Sequence, residues 1–235
     1  MPKLPKYRFE IPEAVLGSYV FIDKDGKPAR PSIQHICIDC GFSKGADSDK
    51  THAIATNGHQ LIHLSWVSDS SDIAPQGIIL IPREQAKTIL DGTRNHKLTR
   101  YWLVDHGDGI WRVNTNCKEF NGLEIVETPS TYPDWRQVMA PRPDGKKRKK
   151  DSVIGELGFN GDYLTTFQRF LKKHTKNFGI KMVVPEYDLS PILMIPISVE
   201  RDQDQKTGQD IETEIEYYLG DGITEVEYVL MPMRI

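Results

Sequence analysis

The stretch Gly77-Ile78-Ile79-Leu80-Ile81-Pro82-Arg83-Glu84-Gln85-Ala86-Lys87-Thr88-Ile89-Leu90 reads as a strand that passes directly into a helix. Residues 77–81 form an apolar run. Pro82 lacks an N–H and fits the first helical turn, where that donor has no partner anyway, and Gly92 marks the helix end. Three β-branched or aromatic runs follow: Tyr101-Trp102-Leu103-Val104, Gly109-Ile110-Trp111-Arg112-Val113 and Leu123-Glu124-Ile125-Val126. The first two are separated by the turn signal His106-Gly107-Asp108-Gly109.

The same theme of strand, helix and further strands recurs on either side. Downstream it begins at residues 154–159. Its helix places Tyr163, Leu164, Phe167, Phe170 and Leu171 on one apolar stripe, with Arg169, Lys172 and Lys173 on the polar face. Residues 180–184, 192–195 and 226–231 then read as strands. Upstream, residues 8–11 read as a strand, and residues 12–16 leave room for little more than one helical turn before Gly17. Residues 36–39, 52–56 and 61–64 follow as strands. The pattern predicts a strand-rich α+β architecture.

With 235 residues, 38% of them hydrophobic, the chain is long enough for one large or two modest domains. No run of eighteen apolar residues occurs, and the start lacks the apolar core of a signal peptide, so a cytoplasmic protein without a membrane anchor is expected. Three cysteines argue against a disulfide scaffold. The net charge of −3 is unevenly spread. Residues 142–150 hold six basic side chains against Asp144 and read as an exposed linker able to touch phosphates. Residues 200–227 hold ten acidic side chains and read as a long, solvated hairpin loop around Lys206-Thr207-Gly208. The chain closes on Tyr228-Val229-Leu230-Met231-Pro232-Met233-Arg234-Ile235. Such an apolar end must dock as a final strand, which Pro232 terminates while two methionines offer adaptable contact surface.

Three segments together resemble a known family. His52-Ala53-Ile54-Ala55-Thr56-Asn57-Gly58-His59-Gln60-Leu61 resembles the Ala-Thr-Asp-Gly-His-Arg-Leu signature of the bacterial sliding clamp, the β subunit of DNA polymerase III. Tyr132-Pro133-Asp134-Trp135-Arg136-Gln137-Val138-Met139 resembles its Phe-Pro-Asp-Tyr-Arg-Arg-Val segment, and the C-terminal eight residues resemble its Tyr-Val-Val-Met-Pro-Met-Arg-Leu close. The resemblance implies sliding-clamp repeats of strand-helix-strands. Residues 1–140 would match the family's second domain, 141–151 would be a basic linker, and 152–235 would match the later half of the third domain.

What the resemblance implies is a processivity factor without catalytic chemistry or cofactor. It would bind clamp-interacting motifs of DNA polymerases, repair proteins and a clamp loader, and hold duplex DNA, as a homo-oligomer. The alternative is a clamp mimic that sequesters those partners and regulates replication without encircling DNA. The implied peptide groove comprises Ile33, Thr56, Gly58, His59, Gln60, Leu61, Pro133, Gln137, Val138, Val229, Met231, Pro232, Met233 and Arg234, an apolar pocket with polar rims suited to Leu or Phe anchors. Gln60 and Gln137 stand where the family has arginine. DNA contacts would come from Lys24, Lys27 and Arg30, and from Lys146, Lys147, Arg148, Lys149 and Lys150 in the linker.

Other chemistries find less support. Cys37-Ile38-Asp39-Cys40 has the spacing of half a zinc or redox site, with His35, His52, His59 and Cys117 elsewhere. A second spaced pair is missing, and residues three apart on a strand point to opposite faces. His59 with Asp39 or Asp134 has the residue types of a general base and its orienter. No serine elbow, helical His pair or phosphate-cradling Gly loop accompanies them. Trp135 offers either a stacking surface for a base or a structural anchor.

Overall fold

The computed structural model describes residues 4–24, 31–40, 50–69, 72–96, 99–117, 120–126, 131–139, 160–175, 178–183, 191–203, 210–216 and 222–231. The strands are β1 (Tyr7–Ile11), β2 (His35–Cys40), β3 (Lys50–Thr56), β4 (Gln60–Val67), β5 (Gly77–Pro82), β6 (Tyr101–Asp105), β7 (Arg112–Thr115), β8 (Leu123–Glu124), β9 (Gly179–Val183), β10 (Ile192–Gln203), β11 (Asp210–Glu216) and β12 (Ile223–Leu230). Helices α1 (Glu13–Gly17), α2 (Arg83–Thr93) and α3 (Gly161–His174) accompany them. The fold is α+β and strand-rich, with two antiparallel sheets. One runs β1-β6-β7-β8, and the other runs β11-β10-β12-β4-β3-β2-β5, with β9 also paired to β10.

Period-two alternation divides the large sheet. Ile36, Ile38, Ala53, Ala55, Ile62, Leu64, Tyr228 and Leu230 point to the helix side and share one core with Ala86, Ile89, Phe167, Phe170 and Leu171. Phe9, Ile11, Tyr101 and Leu103 of the small sheet join it. At its centre the Tyr228 ring stacks on Phe167 at 4.4 Å. The Tyr228 hydroxyl lies 2.7 Å from Gln60 Oε1 and 3.1 Å from the carbonyl of Tyr163, two acceptors that share its one proton. The intervening residues Cys37, Ile54, Leu61, Leu80, Leu193, Ile195 and Val229 face the other way and form a second core with Tyr132 and Trp135.

The apolar tail docks as expected. β12 lies between β4 and β10, with Val229 opposite Leu61 and Leu193. The short first helix and the two longer ones also stand where the sequence puts them, α1 holding only five residues. Two expectations need correcting. The strand expected over 109–113 begins only at Arg112, because Asp105 Oδ1 accepts the N–H groups of Gly107, Asp108 and Gly109 while both glycines take positive φ (87° and 77°), which makes a turn. The acidic stretch is also largely strand rather than loop. Residues 197–203 pair in register with 210–216, since the alternation Asp210-Ile211-Glu212-Thr213-Glu214-Ile215-Glu216 is a strand period whatever its charge. The strand expected over 154–159 and the linker 141–151 lie outside the described residues. Among the described residues, no helix is long and apolar enough to cross a membrane.

Candidate functional site

The site grows from the β3–β4 turn. Thr56 Oγ1 donates to the Gln60 carbonyl at 2.6 Å and accepts from Gly58 N–H at 3.0 Å, while Asn57 Oδ1 accepts from the N–H groups of His59 and Gln60. Gly58 sits at φ 91°, a conformation that a side chain resists. The chain's end is tied to this turn, since Met231 N–H donates to the His59 carbonyl at 3.0 Å. The third element is the segment 131–139. It packs Tyr132 and Trp135 onto the sheet and makes one 3-10 turn, Trp135–Gln137, in which the Asp134 carboxylate caps the Arg136 N–H.

These three segments enclose a cavity of about 150 Å³ lined by Ile33, Thr56, Gly58, Gln60, Leu61, Tyr132, Pro133, Asp134, Trp135, Val138 and Met231. Eight of the residues singled out from sequence therefore meet here. Three others stand apart. Val229 is fully buried beneath, in the second core. Gln137 turns its amide to Asp134 at 3.2 Å. The exposed His59 stacks with Tyr163 at 6.3 Å. Pro232, Met233 and Arg234 lie outside the described residues. Sequence reading omitted Tyr132, Asp134 and Trp135 from the groove, although all three lie in a motif it had quoted. Their signal was the spacing of two aromatics around a proline.

Behind Trp135 runs a buried polar ladder. Trp135 Nε1–H donates to Asp39 Oδ2 at 3.2 Å, and the Arg136 guanidinium meets the same oxygen at 2.8 Å while lying over the Trp135 ring at 4.3 Å. The indole also meets His63 at 4.8 Å and His52 at 5.6 Å. His52 Nδ1 lies 3.0 Å from His63 Nε2, and His63 Nδ1 lies 3.0 Å from Glu227 Oε2. A carboxylate accepts, so His63 donates through Nδ1 and His52 donates to His63 Nε2 when both rings are neutral. The ladder fixes the indole, and with it one wall of the cavity.

Cys37 and Cys40 fall in different cores, on opposite faces of β2. Burial raises both thiols, with Asp39 adding to the effect, and Cys40 is pushed up to about 12. These are protonated packing residues. The pairing of His59 with Asp39 or Asp134 is not formed: Asp39 is committed to Trp135 and Arg136, and Asp134 caps the 3-10 turn.

Of the residues expected to touch DNA, Lys24 lines a cavity of about 460 Å³ with Tyr19, Val20, Ile22, Arg83, Glu84 and Lys87. Arg83 Nε–H donates to the Ile22 carbonyl at 3.1 Å. Sequence reading had not joined Arg83 or Lys87 to Lys24. Lys27, Arg30, Lys146, Lys147, Arg148, Lys149 and Lys150 lie outside the described residues. On α3, Lys173 pairs with Glu13 at 2.9 Å.

No protein-family model matches the chain, and no curated protein matches it in sequence. Among solved structures, it is similar to a DNA polymerase sliding clamp from Pseudomonas aeruginosa, determined with a ligand, at 14% identity and a TM-score of 0.45. That match covers 100% of this chain and 68% of the other. A DnaN sliding clamp (DNA polymerase III subunit beta) from Bartonella birtlesii, bound to griselimycin, matches at 15% identity and a TM-score of 0.46, with the same coverage. A beta sliding clamp from C. crescentus matches at 13% identity and a TM-score of 0.45, over 97% of this chain and 65% of that one. This chain thus spans about two thirds of the length of each of these clamps.

Proposed function

We propose that the protein is a non-catalytic, sliding-clamp-like accessory factor of DNA replication, working in the cytoplasm. It captures short apolar motifs of polymerases, repair proteins or a clamp loader in the pocket between Thr56, Val138 and Met231, and it holds duplex DNA electrostatically. The observation that carries this reading is the meeting of three sequence segments. Each resembles a clamp signature, they are far apart in the chain, and they enclose one cavity with two aromatic walls. Aromatic and methionine side chains around a few polar rim atoms are the chemistry of a peptide anchor site. The domain division at residues 141–151 belongs to the same reading. The exposed Lys24 and Lys87 at their shared cavity support the DNA contact, whereas Arg83 is buried there and paired with Glu84.

The test is a titration of a fluorescent clamp-binding peptide into the protein and into a version ending at Leu230. Loss of tenfold or more in affinity on truncation is expected, and equal binding by both forms would overturn the pocket. A mimic that captures motifs without encircling DNA makes the same peptide prediction. It differs in showing no affinity for duplex DNA that falls with salt, which the same preparation measures.

A further inference from the structure

Among the described residues, the rim of the pocket carries one charge without an ionic partner, and it is negative. Among the described residues that line the cavity, Asp134 is the sole charged side chain. It is exposed, and among the described residues its two oxygens accept only from neutral donors, the Arg136 backbone N–H and the Gln137 side-chain amide, each at 3.2 Å. The neighbouring cation is committed elsewhere: Arg136 is held over Trp135 and against the buried Asp39 carboxylate. Gln60 adds no charge and is itself turned inward, its Oε1 accepting from Tyr228. At the adjoining turn, Asp23 Oδ1 likewise accepts from a neutral group, the Asn57 amide, at 2.9 Å.

We propose that the pocket selects an apolar anchor flanked by a positively charged residue. The partner is then a basic peptide segment, with a Leu or Phe seated against Trp135 and an Arg or Lys meeting Asp134. The inference rests on the peptide-binding reading and specifies its partner. An acidic flank is rejected by the same carboxylate. Charges on a rim steer and discriminate more than they hold, so the effect is modest and sensitive to salt.

The experiment uses three fluorescein-labelled heptapeptides that share a central Leu-Phe pair and carry Arg, Gln or Glu beside it. Fluorescence polarisation with the full chain is expected to rank them Arg, Gln, Glu, each step about two- to fivefold, as for a solvent-exposed ion pair. The spread should narrow at high salt. Asp134→Asn keeps the cap of the 3-10 turn, because asparagine also accepts there, and should collapse the ratio between the Arg and Glu peptides toward unity. If the Gln peptide binds and the order is absent or reversed, the rim inference is overturned and the pocket stands. A spread that survives Asp134→Asn also overturns it, since the discriminating charge then lies elsewhere. If none of the three binds, the pocket reading itself falls.

Discussion

The two faces of the large sheet solve burial differently. On the helix side the strands present Ile36, Ile38, Ile62, Leu64, Val226 and Leu230 to α2 and α3, and packing is almost wholly apolar. On the opposite side, at the same depth, stand Asp39, His52, His63, Ser65 and Glu227, none more than 7% exposed. Burying polar groups costs free energy unless each finds a partner, and such groups fix geometry more than they add stability. Here the geometry they fix is that of Trp135. The helix side holds the fold together, and the other side holds one wall of a pocket in place.

The largest effects should separate the faces. Phe167→Ala removes a fully buried ring stacked on Tyr228 and should cost about 3–5 kcal/mol, a fall in melting temperature on the order of 10 °C, measured by calorimetry. The folded fraction should bind peptide unchanged. Val138→Ala, at the half-buried pocket edge, should leave the melting temperature within about 2 °C yet weaken peptide binding roughly tenfold, since two methyl groups of contact are worth about 1.5 kcal/mol. If the two variants lose stability equally and binding equally, the division of labour is wrong.

The helix side was legible in sequence and the pocket side only partly so. The 3.6-residue stripe from Tyr163 to Leu171, the proline opening α2 and the apolar run in β5 all announce themselves locally. The docking of the tail followed from its greasiness. The pocket was legible only through the resemblance, because its parts come from residues 56–61, 132–138 and 231, and nothing local says that these meet. The polar ladder was not legible at all. His52, His63 and Glu227 alternate with apolar residues as solvent-facing positions do, and period two cannot tell a solvated face from one covered by Trp135. The pairing of β10 with β11 was missed because charge was weighed above alternation.

A middle-sized effect tests the ladder. Asp39 is 1% exposed, and its Oδ1 has no hydrogen bond among the described residues. It therefore depends on Arg136 and the indole N–H. Arg136→Gln removes the ion pair and leaves a buried carboxylate poorly compensated. The arginine side chain is 42% exposed, so the cost should be about 2 kcal/mol, below that of a fully buried pair. Urea midpoints should show Asp39→Asn recovering part of this loss in the double variant, because the charge that needed the arginine is gone. Strict additivity of the two substitutions would mean that the pair is not coupled, and Trp135 would need another explanation for its fixed orientation.

Among the described polar groups on the helix side, His174 is set apart by a missing hydrogen-bond partner, and its effect is confined to acid pH. His174 ends α3 with Nε2 buried and without a hydrogen-bond partner among the described residues. It lies so close to Gly17 that a Cβ there would come within 2.9 Å of the nitrogen. Burial lowers its pKa to about 4, the Lys173 charge works in the same direction, and Glu13 opposes both. In the unfolded chain the ring titrates near its ordinary value of about 6.5. Above that pH both states are neutral, and His174 contributes no pH dependence. Between about 6.5 and 4 the unfolded state takes up a proton that the folded state refuses, so stability falls as pH falls and the penalty is complete below about 4. The ring is only half-buried by area, so the full penalty should be about 2 kcal/mol rather than the larger value the shift alone implies. His174→Leu should flatten the stability–pH profile between pH 6.5 and 4 relative to the parent, by urea titration at each pH, and leave peptide binding at pH 7.5 untouched. An unchanged slope would place the proton uptake elsewhere. A loss of peptide binding would show that the two faces are coupled through α3 and Tyr228 rather than independent.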